Sequence, residues 1–159
     1  MREPVEDLIR QHQKHLFAAA FSVCQNASDA DDVVQDTFLK YHLSKKEFSS
    51  PEHIKAWLLR VAINKAKDIN RRTWRWNTVS LEEVAQTLTT EQSEDTWLLA
   101  EVMKLPAKYR IVLHLFYYED YSVAEIANIL KVSDGSVKTR LSRARSMLKN
   151  NLEEDLVYE

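Results

Sequence analysis

Hydrophobic residues recur along the chain at the spacing of amphipathic α-helices. The first run consists of Leu8, Ile9, Leu16, Ala19, Ala20 and Val23. A second helix is predicted over 29–43, capped by Ser28, and its apolar side carries Val33, Val34, Thr37, Phe38 and Tyr41. Ser50 and Pro51 predict the start of a third helix that runs to about Arg72. No segment alternates in the manner of a strand, so the pattern predicts an all-α protein.

The predicted helices fall into two groups separated by a polar, acidic stretch. Residues 1–72 form an N-terminal helical bundle in this interpretation, with a polar loop over 43–50. Residues 73–95 are threonine- and glutamine-rich and read as a linker, with a short helix after Ser80. Residues 96–159 form a C-terminal helix-turn-helix domain.

The most specific local pattern is this helix-turn-helix. Ser122 and Glu125 have the spacing of a capping box at the start of a short helix. Lys131, Val132 and Ser133 form the predicted turn, and Ser133 can cap the helix that follows. At about 100° per residue, the apolar positions of that second helix lie within roughly 30° of one direction. They are Val137, Leu141, Ala144 and Leu148.

The opposite face of that helix carries small hydroxyls among basic residues. Thr139, Ser142, Arg143 and Ser146 lie opposite the apolar face, and Lys138, Arg140, Arg145 and Lys149 flank them. Hydroxyls permit close approach to base edges, while basic side chains reach phosphates on both walls of a major groove. Gly135, the only glycine, lies in the first turn and would let a backbone approach closely. We therefore expect DNA binding here rather than a solvated basic face.

A second polar stripe lies on the third predicted helix. Arg60, Asn64, Lys67 and Arg71 share one side, and an amide among three basic residues can read a base edge while the bases hold phosphates. The predicted apolar face carries Ile54, Trp57, Leu58, Val61, Ala62 and Ile69. Trp57 borders the stripe, where an unstacked base could lie, although core packing is the more expected role. Lys65 falls on the apolar side with no role beyond snorkelling.

Charge is segregated along the chain although the net charge is only −2. The two basic stretches, 55–72 and 134–149, alternate with acidic stretches at 29–36 and 82–95, which suggests two contacts to a polyanion. Cys24 is the only cysteine, so neither an intramolecular disulfide nor a cysteine zinc cluster is possible. No apolar run approaches the ~20 residues that span a bilayer, so we expect a cytoplasmic protein without membrane insertion.

The motifs at these positions together resemble the sigma-70 family of RNA polymerase sigma factors, in its extracytoplasmic-function (ECF) group. The resemblance rests on DADDVVQDTFLKYH at 29–42, on AWLLRVAINKAKDINRR at 56–72, and on the stretch from LPAKYR to ARSMLK at 105–149. It covers most of the chain in the family's order and spacing. The resemblance implies an alternative sigma factor that binds core RNA polymerase and directs promoter-specific transcription initiation.

The resemblance also implies roles for individual residues. The expected core polymerase contacts are Asp32, Gln35, Asp36 and Leu39. The expected contacts to the minus-ten element, including a flipped base, are Lys45, Lys46, Phe48, Trp57, Arg60, Asn64, Lys67 and Arg71. The expected contacts to the minus-thirty-five element are Ser136, Lys138, Thr139, Arg140, Ser142, Arg143 and Arg145. The family further implies an anti-sigma factor as a partner.

Three features depart from the family pattern. Housekeeping sigma factors carry a cluster of aromatic residues that take part in promoter melting, whereas here only Trp57 lies in the matching helix. This difference suggests a narrow set of promoters. Ser142 is small, so base preference cannot be carried over. The run at 73–76, which contains Trp74 and Trp76, matches nothing that we can assign.

No enzymatic chemistry is indicated by the sequence. His12 and His15 are three residues apart but have no further metal ligands spaced nearby. The acidic run at 29–32 resembles the start of a calcium loop, yet it lacks the central glycine, and Lys40 stands at the twelfth position. There is no glycine-rich phosphate loop. We expect no cofactor, no metal and no catalytic residue.

Two other classes of protein remain open at this point. One is a conventional helix-turn-helix repressor or activator that binds duplex DNA without polymerase, and the stripe on 51–72 argues against it. The other is an adaptor whose basic faces bind acidic proteins, and the hydroxyls on 139–146 argue against that. Salt dependence separates them, because phosphate contacts lose affinity steeply as salt rises.

Overall fold

The structure is a computed structural model that describes residues 1–73 and 96–157. These residues belong to two compact units, which we describe separately. The predicted helix after Ser80, together with Trp74, Trp76 and the rest of the linker beyond Thr73, lies outside the described residues. All the regular structure in the described residues is helical, as the sequence pattern predicts.

The N-terminal unit is a bundle of three helices: α1 (Val5–Cys24), α2 (Ala27–Leu43) and α3 (Pro51–Thr73). Each helix packs against the other two. The core is formed by side chains that are almost fully buried, which include Leu8, Leu16, Phe21, Val33, Tyr41, Ile54, Leu58 and Ile63. Burying one such side chain contributes about 1.5–3 kcal/mol, so the shared core fixes the three helices against one another.

α2 and α3 each begin at a side-chain cap, with one correction to the predicted cap. α2 begins two residues earlier than expected, and its N-cap is Asn26, whose side chain accepts a hydrogen bond from the Asp29 N–H (2.9 Å). The predicted cap, Ser28, lies inside the first turn because Gln25 ends α1 in a left-handed conformation and turns the chain immediately. At α3, Ser50 Oγ accepts from the His53 N–H (3.1 Å), which confirms the predicted start.

The buried face of α3 is rotated from the predicted one. Val61 and Ile69 are only half-buried, whereas Leu59, Ile63 and Ala66 lie in the core beside Ile54, Leu58 and Ala62. The difference arises because α1 and α2 both cover α3, so its apolar face must meet two partners rather than one. Lys65 therefore lies outside the buried face of α3, and its side chain is exposed.

The described part of the C-terminal unit, residues 96–157, contains a π-helical turn over His114–Tyr118 and four α-helices: α4 (Thr96–Met103), α5 (Ala107–Leu113), α6 (Val123–Leu130) and α7 (Asp134–Val157). The long α7 packs against α4, α5 and α6. At the junction of α4 and α5 the buried Arg110 guanidinium donates to the Leu105 carbonyl. α6 and α7 form the predicted helix-turn-helix.

The local signals of the helix-turn-helix are confirmed. Ser122 and Glu125 form the capping box, with both reciprocal hydrogen bonds present. Ser133 Oγ accepts from the Ser136 N–H (3.1 Å) at the start of α7. Val137, Leu141 and Ala144 are buried, and Leu148 is half-buried.

The π-helical turn was not predicted. It lies directly before the helix-turn-helix, buries Leu115 and leaves Tyr117 and Tyr118 each 58% exposed. Insertions of this kind widen a helix by one residue and are frequent at functional sites. Periodicity alone does not reveal them, because the apolar spacing shifts by only one position.

Within residues 1–73 and 96–157, three turns have a left-handed backbone, and none of them is supplied by glycine. Gln25, Asp120 and Lys131 have φ angles of 54°, 59° and 57°. Lys131 ends α6, at the turn of the helix-turn-helix, and is exposed. Side chains with a β-carbon are strained in this conformation, whereas glycine is not.

We expect Lys131→Gly to stabilise the C-terminal unit, by about 0.5–1 kcal/mol, because it relieves this strain at an exposed position. The measurement is the denaturant concentration at the midpoint of unfolding, with the dependence of the unfolding free energy on denaturant unchanged. Lys131→Ala is the matched control, since it removes the same side chain but keeps the β-carbon. If the alanine variant gains as much as the glycine variant, backbone strain is not the cause.

Candidate nucleic-acid interface

In the N-terminal unit, α2, α3 and the loop after α2 enclose an open groove of about 800 Å³. Its walls combine basic, acidic, amide and apolar side chains. They are Asp36, Thr37, Leu39, Lys40, Leu43, Ser44, Lys46, Trp57, Arg60, Val61, Asn64, Lys65 and Asp68. Nine of these thirteen residues are polar or charged, so the groove suits a polar, charged partner.

The groove brings together residues that the sequence analysis assigned to two separate sets. Asp36 and Leu39 come from the set expected to bind polymerase. Lys46, Trp57, Arg60 and Asn64 come from the set expected to bind the minus-ten element. The other members of the two sets, Asp32, Gln35, Lys45, Phe48, Lys67 and Arg71, are not among the lining residues.

An aromatic cluster supports one wall of the groove. The Phe48 ring lies 5.8 Å from Tyr41 and 5.6 Å from Trp57, centroid to centroid. Trp57 is half-buried and lines the groove, so core packing and ligand contact are both open to it. Phe48 is only 4% exposed, so the structure does not present it to DNA as the sequence analysis expected. Its ring packs behind Trp57 instead, because the loop folds back onto the bundle.

The polar stripe on α3 was predicted to lie on a different side from the apolar face, and in the structure it lies opposite the buried side chains. Asn64 and Arg71 are exposed, and Arg60 and Lys67 are half-buried. The Arg71 guanidinium donates to Asp68, one turn away, so it is already paired within the chain. Exposed pairs of this kind are weak, and a phosphate can replace the carboxylate.

Lys65, which had no assigned role, forms an ion pair across the groove. Its ammonium lies 3.5 Å from the Asp36 carboxylate on α2. Both side chains are about half exposed, so the pair contributes little to stability. It does link a residue of the predicted polymerase set to the helix that carries the polar stripe.

In the C-terminal unit, α7 presents the predicted polar face to solvent. Lys138, Thr139, Ser142 and Arg143 are exposed, and Ser136 and Arg140 are half-buried. Gly135 is also exposed, and a β-carbon there would meet only Ser133 Oγ, at 3.9 Å. Packing within the described residues therefore does not require glycine at this position.

Arg145 differs from the other predicted DNA contacts of α7, because it is held by the π-helical turn. Its Nε donates to Tyr117 Oη (2.8 Å), and its guanidinium lies 5.5 Å from the Phe116 ring centroid. The side chain is still exposed, but its position is set by these aromatic neighbours. The contact of Tyr117 with Arg145 was not predicted, because no periodic signal links residues 28 positions apart.

Two side chains beside these surfaces have shifted pKa values. Burial raises the pKa of Tyr121 to about 12, with smaller contributions from Glu119 and Glu125, so its hydroxyl stays protonated at neutral pH. The amino group of Met1 donates to the Glu47 carboxylate and lowers the pKa of that carboxyl. Glu47 therefore stays ionised in the loop that borders the groove.

Residues 1–73 and 96–157 contain no group of three side chains placed to hold a metal ion. Within the same residues, no helix combines the length and hydrophobicity needed to cross a bilayer.

The two units define a helical DNA-binding protein with a helix-turn-helix in its second unit. Residues 8–75 match sigma-70 region 2, and residues 95–148 match sigma-70 region 4. The chain is 30% identical over 149 residues to the ECF RNA polymerase sigma factor SigM of Mycobacterium tuberculosis. This alignment covers 92% of this chain and 76% of the relative. It is 31% identical over 152 residues to the RNA polymerase sigma factor SigV of Bacillus subtilis, in an alignment that covers 93% of this chain and 91% of that relative.

The chain belongs to the ECF group of the sigma-70 family, as the motifs predicted. It is an alternative sigma factor, which binds core RNA polymerase and directs promoter-specific transcription initiation.

Solved structures show the same fold. The sigma factor RpoE, solved with the anti-sigma factor NepR from Bartonella quintana, aligns with a TM-score of 0.71 at 22% identity over 93% of this chain and 96% of that one. CnrH, solved with the cytosolic domain of CnrY, aligns with a TM-score of 0.69 at 29% identity over 95% and 88%.

We expect Phe48→Ala to destabilise the N-terminal unit by about 3–5 kcal/mol, because it empties a buried aromatic site. The measurement is thermal or denaturant unfolding of the whole chain. Lys46→Ala, two residues earlier and exposed, should leave stability within about 0.5 kcal/mol. A stable Phe48→Ala variant that binds DNA poorly would instead support direct contact between this ring and DNA.

Proposed function

We propose that the two polar helix faces read the two promoter elements, and that the exposed side of α2 binds polymerase. The observation that supports this proposal is that α3 and α7 each bury one apolar face and leave the opposite, basic and amide- or hydroxyl-bearing face exposed. A helix arranged in this way can contact a polyanion without losing its packing. The basic residues are thus concentrated on two exposed helix faces, although the net charge of the chain is only −2.

The groove face of α3 binds the minus-ten element in this proposal. Arg60 and Asn64 line the groove beside Trp57, so an unpaired base can lie against the indole while the amide contacts the polar edge of the base. Lys45, Lys46, Lys67 and Arg71 lie on the loop or on the stripe, where they can hold phosphates. Unpairing costs a few kcal/mol, and these contacts offset part of it.

The exposed face of α7 binds the minus-thirty-five duplex. Thr139 and Ser142 lie at its centre and approach base edges, and Lys138 and Arg143 beside them contact bases or phosphates. Ser136 and Arg140 extend the same face, half-buried. Arg145, held by Tyr117, contacts a phosphate at the edge of the face.

Core polymerase binds the exposed side of α2. Asp32, Gln35 and Asp36 are exposed there, and Leu39 is 55% exposed beside them. An exposed apolar side chain among acidic ones favours a protein partner with a basic, partly apolar surface. Leu43, which is 71% exposed one turn later, extends the same surface and was not predicted.

An anti-sigma factor is the second protein partner that we propose. Support comes from the fold shared with RpoE and CnrH, which were solved with NepR and with the cytosolic domain of CnrY. We further propose that the chain has no catalytic activity of its own, and that it acts in the cytoplasm, where bacterial polymerase and chromosome are found.

We expect the triple variant Arg60→Ala, Asn64→Ala, Lys67→Ala to lose specific initiation. It removes two cations and one amide from the α3 stripe, so we expect roughly a 100-fold loss of promoter-dependent transcripts. The measurement is transcription from a genomic promoter library with core RNA polymerase. Binding to core polymerase should be unchanged, because the three substituted residues lie on α3, whereas the proposed polymerase contacts lie on α2.

Arg10→Ala with Lys14→Ala is the matched control, since it removes two exposed cations from α1. The control should initiate like the wild type. Equal losses in both variants would attribute the effect to general charge. If the wild-type chain binds duplex DNA tightly by itself and gains nothing from polymerase, the conventional regulator is the better assignment.

A further prediction concerns Gly135, where an added β-carbon has room among the described residues. Gly135→Ala should keep or slightly raise stability, by about 0.5 kcal/mol at most, because alanine favours helix. If the first turn of α7 approaches DNA closely, the same variant should weaken binding to a minus-thirty-five duplex several-fold. Measuring both quantities on one preparation tests this, and unchanged duplex affinity would show that the turn stays away from DNA.

A further inference from the structure

The N-terminal residues of the chain bind the loop that borders the groove. The Arg2 guanidinium donates to two main-chain carbonyls, those of Tyr41 (Nη2, 2.9 Å) and Lys46 (Nη1, 2.8 Å). The guanidinium also lies 4.4 Å from the centroid of the Tyr41 ring. One side chain thus joins the last turn of α2 to the loop that follows it.

Main-chain contacts continue this attachment on both sides of Arg2. Tyr41 Oη donates to the Glu3 carbonyl (2.7 Å) and accepts from the Glu3 N–H (3.0 Å). The Phe48 N–H donates to the Met1 carbonyl (3.1 Å). Residues 1–3 therefore form a strap, which contacts the loop at Lys46 and Phe48 and the end of α2 at Tyr41.

The strap determines the position of two groove residues. The Lys46 backbone is held at its carbonyl by Arg2 and at its N–H by Ser44 Oγ (3.1 Å). Tyr41, which Arg2 covers, lies against Trp57 with ring centroids 6.2 Å apart. Both Lys46 and Trp57 line the groove. A loop of seven residues would otherwise sample many conformations, and fixing it before DNA arrives removes that entropic cost from binding.

We infer that Arg2 is a positioning residue for minus-ten recognition: it holds the 44–50 loop and the Tyr41–Trp57 wall in the geometry that binds the unpaired strand. Arg2 acts through the loop and does not itself contact DNA. Lysine cannot replace it, because an ammonium does not donate in a fork to two carbonyls while lying flat on a ring. This inference rests on the proposed role of the groove.

The test uses holoenzyme assembled from the full chain and core RNA polymerase. The probe is a single-stranded oligonucleotide that contains the minus-ten element of a promoter on which the wild-type holoenzyme initiates. Arg2→Ala and Arg2→Lys should each bind this probe about five- to tenfold more weakly, as expected for losing hydrogen bonds from a charged donor. Affinity for core polymerase and for a minus-thirty-five duplex should be unchanged.

Arg10→Ala is the matched control, because Arg10 is an exposed arginine on α1 that pairs with Asp7 and does not contact the loop. It should bind the probe like the wild type. A second readout is amide hydrogen exchange in the free protein, where Arg2→Ala should speed exchange at Phe48 about tenfold, whereas Arg10→Ala should not. Tyr41→Phe, which deletes only the bonds to Glu3, is a milder variant and should weaken probe binding in the same direction.

The outcomes separate this inference from the function on which it rests. Wild-type holoenzyme that binds the probe no better than core polymerase alone would overturn both. If the wild type binds and Arg2→Ala binds equally well, only the positioning role is overturned. Full affinity in Arg2→Lys, or an equal loss in Arg10→Ala, would also overturn it, since either result assigns the effect to charge.

Discussion

The packing of α3 against both α1 and α2 is the constraint on which the N-terminal surface depends. Ile54, Leu58, Ala62 and Ala66 are fully buried, so the rotation of α3 about its axis is fixed by the core. Because an α-helix places residues about 100° apart, fixing the buried face also fixes Arg60 and Asn64 on the opposite side. The recognition surface is therefore rigid where it lies on the helix.

The same principle organises the C-terminal unit with different partners. Val137, Leu141 and Ala144 anchor α7 against α4, α5 and α6, and the hydroxyl-bearing face remains free. The π-helical turn adds Tyr117, which holds Arg145. In each unit, then, a buried stripe orients a helix, and aromatic side chains from a neighbouring segment position residues at the edge of its polar face. This division separates stability from recognition, so surface variants can change DNA binding without unfolding the protein.

The acidic and basic surfaces meet in the groove rather than lying far apart. Asp36 and Lys65 form an ion pair across it, and Leu39 and Trp57 contribute to its walls. A partner that covers the exposed side of α2 therefore comes close to the residues proposed to bind the minus-ten element. Exposed ion pairs are weak, so a partner bound at one wall can replace Asp36 or Lys65 in this pair without a change of fold.

The sequence by itself determined the helical class, the helix-turn-helix with its caps, the outward faces of α3 and α7 and the family. These follow from periodicity and local capping, which act within one or two turns of a helix. Only the tertiary structure decided the rotation of the buried face of α3, the burial of Phe48, the pairing of Lys65 with Asp36 and the attachment of Arg2 to the loop. Each of these depends on contacts between segments that are distant along the chain, and local periodicity carries no information about such contacts.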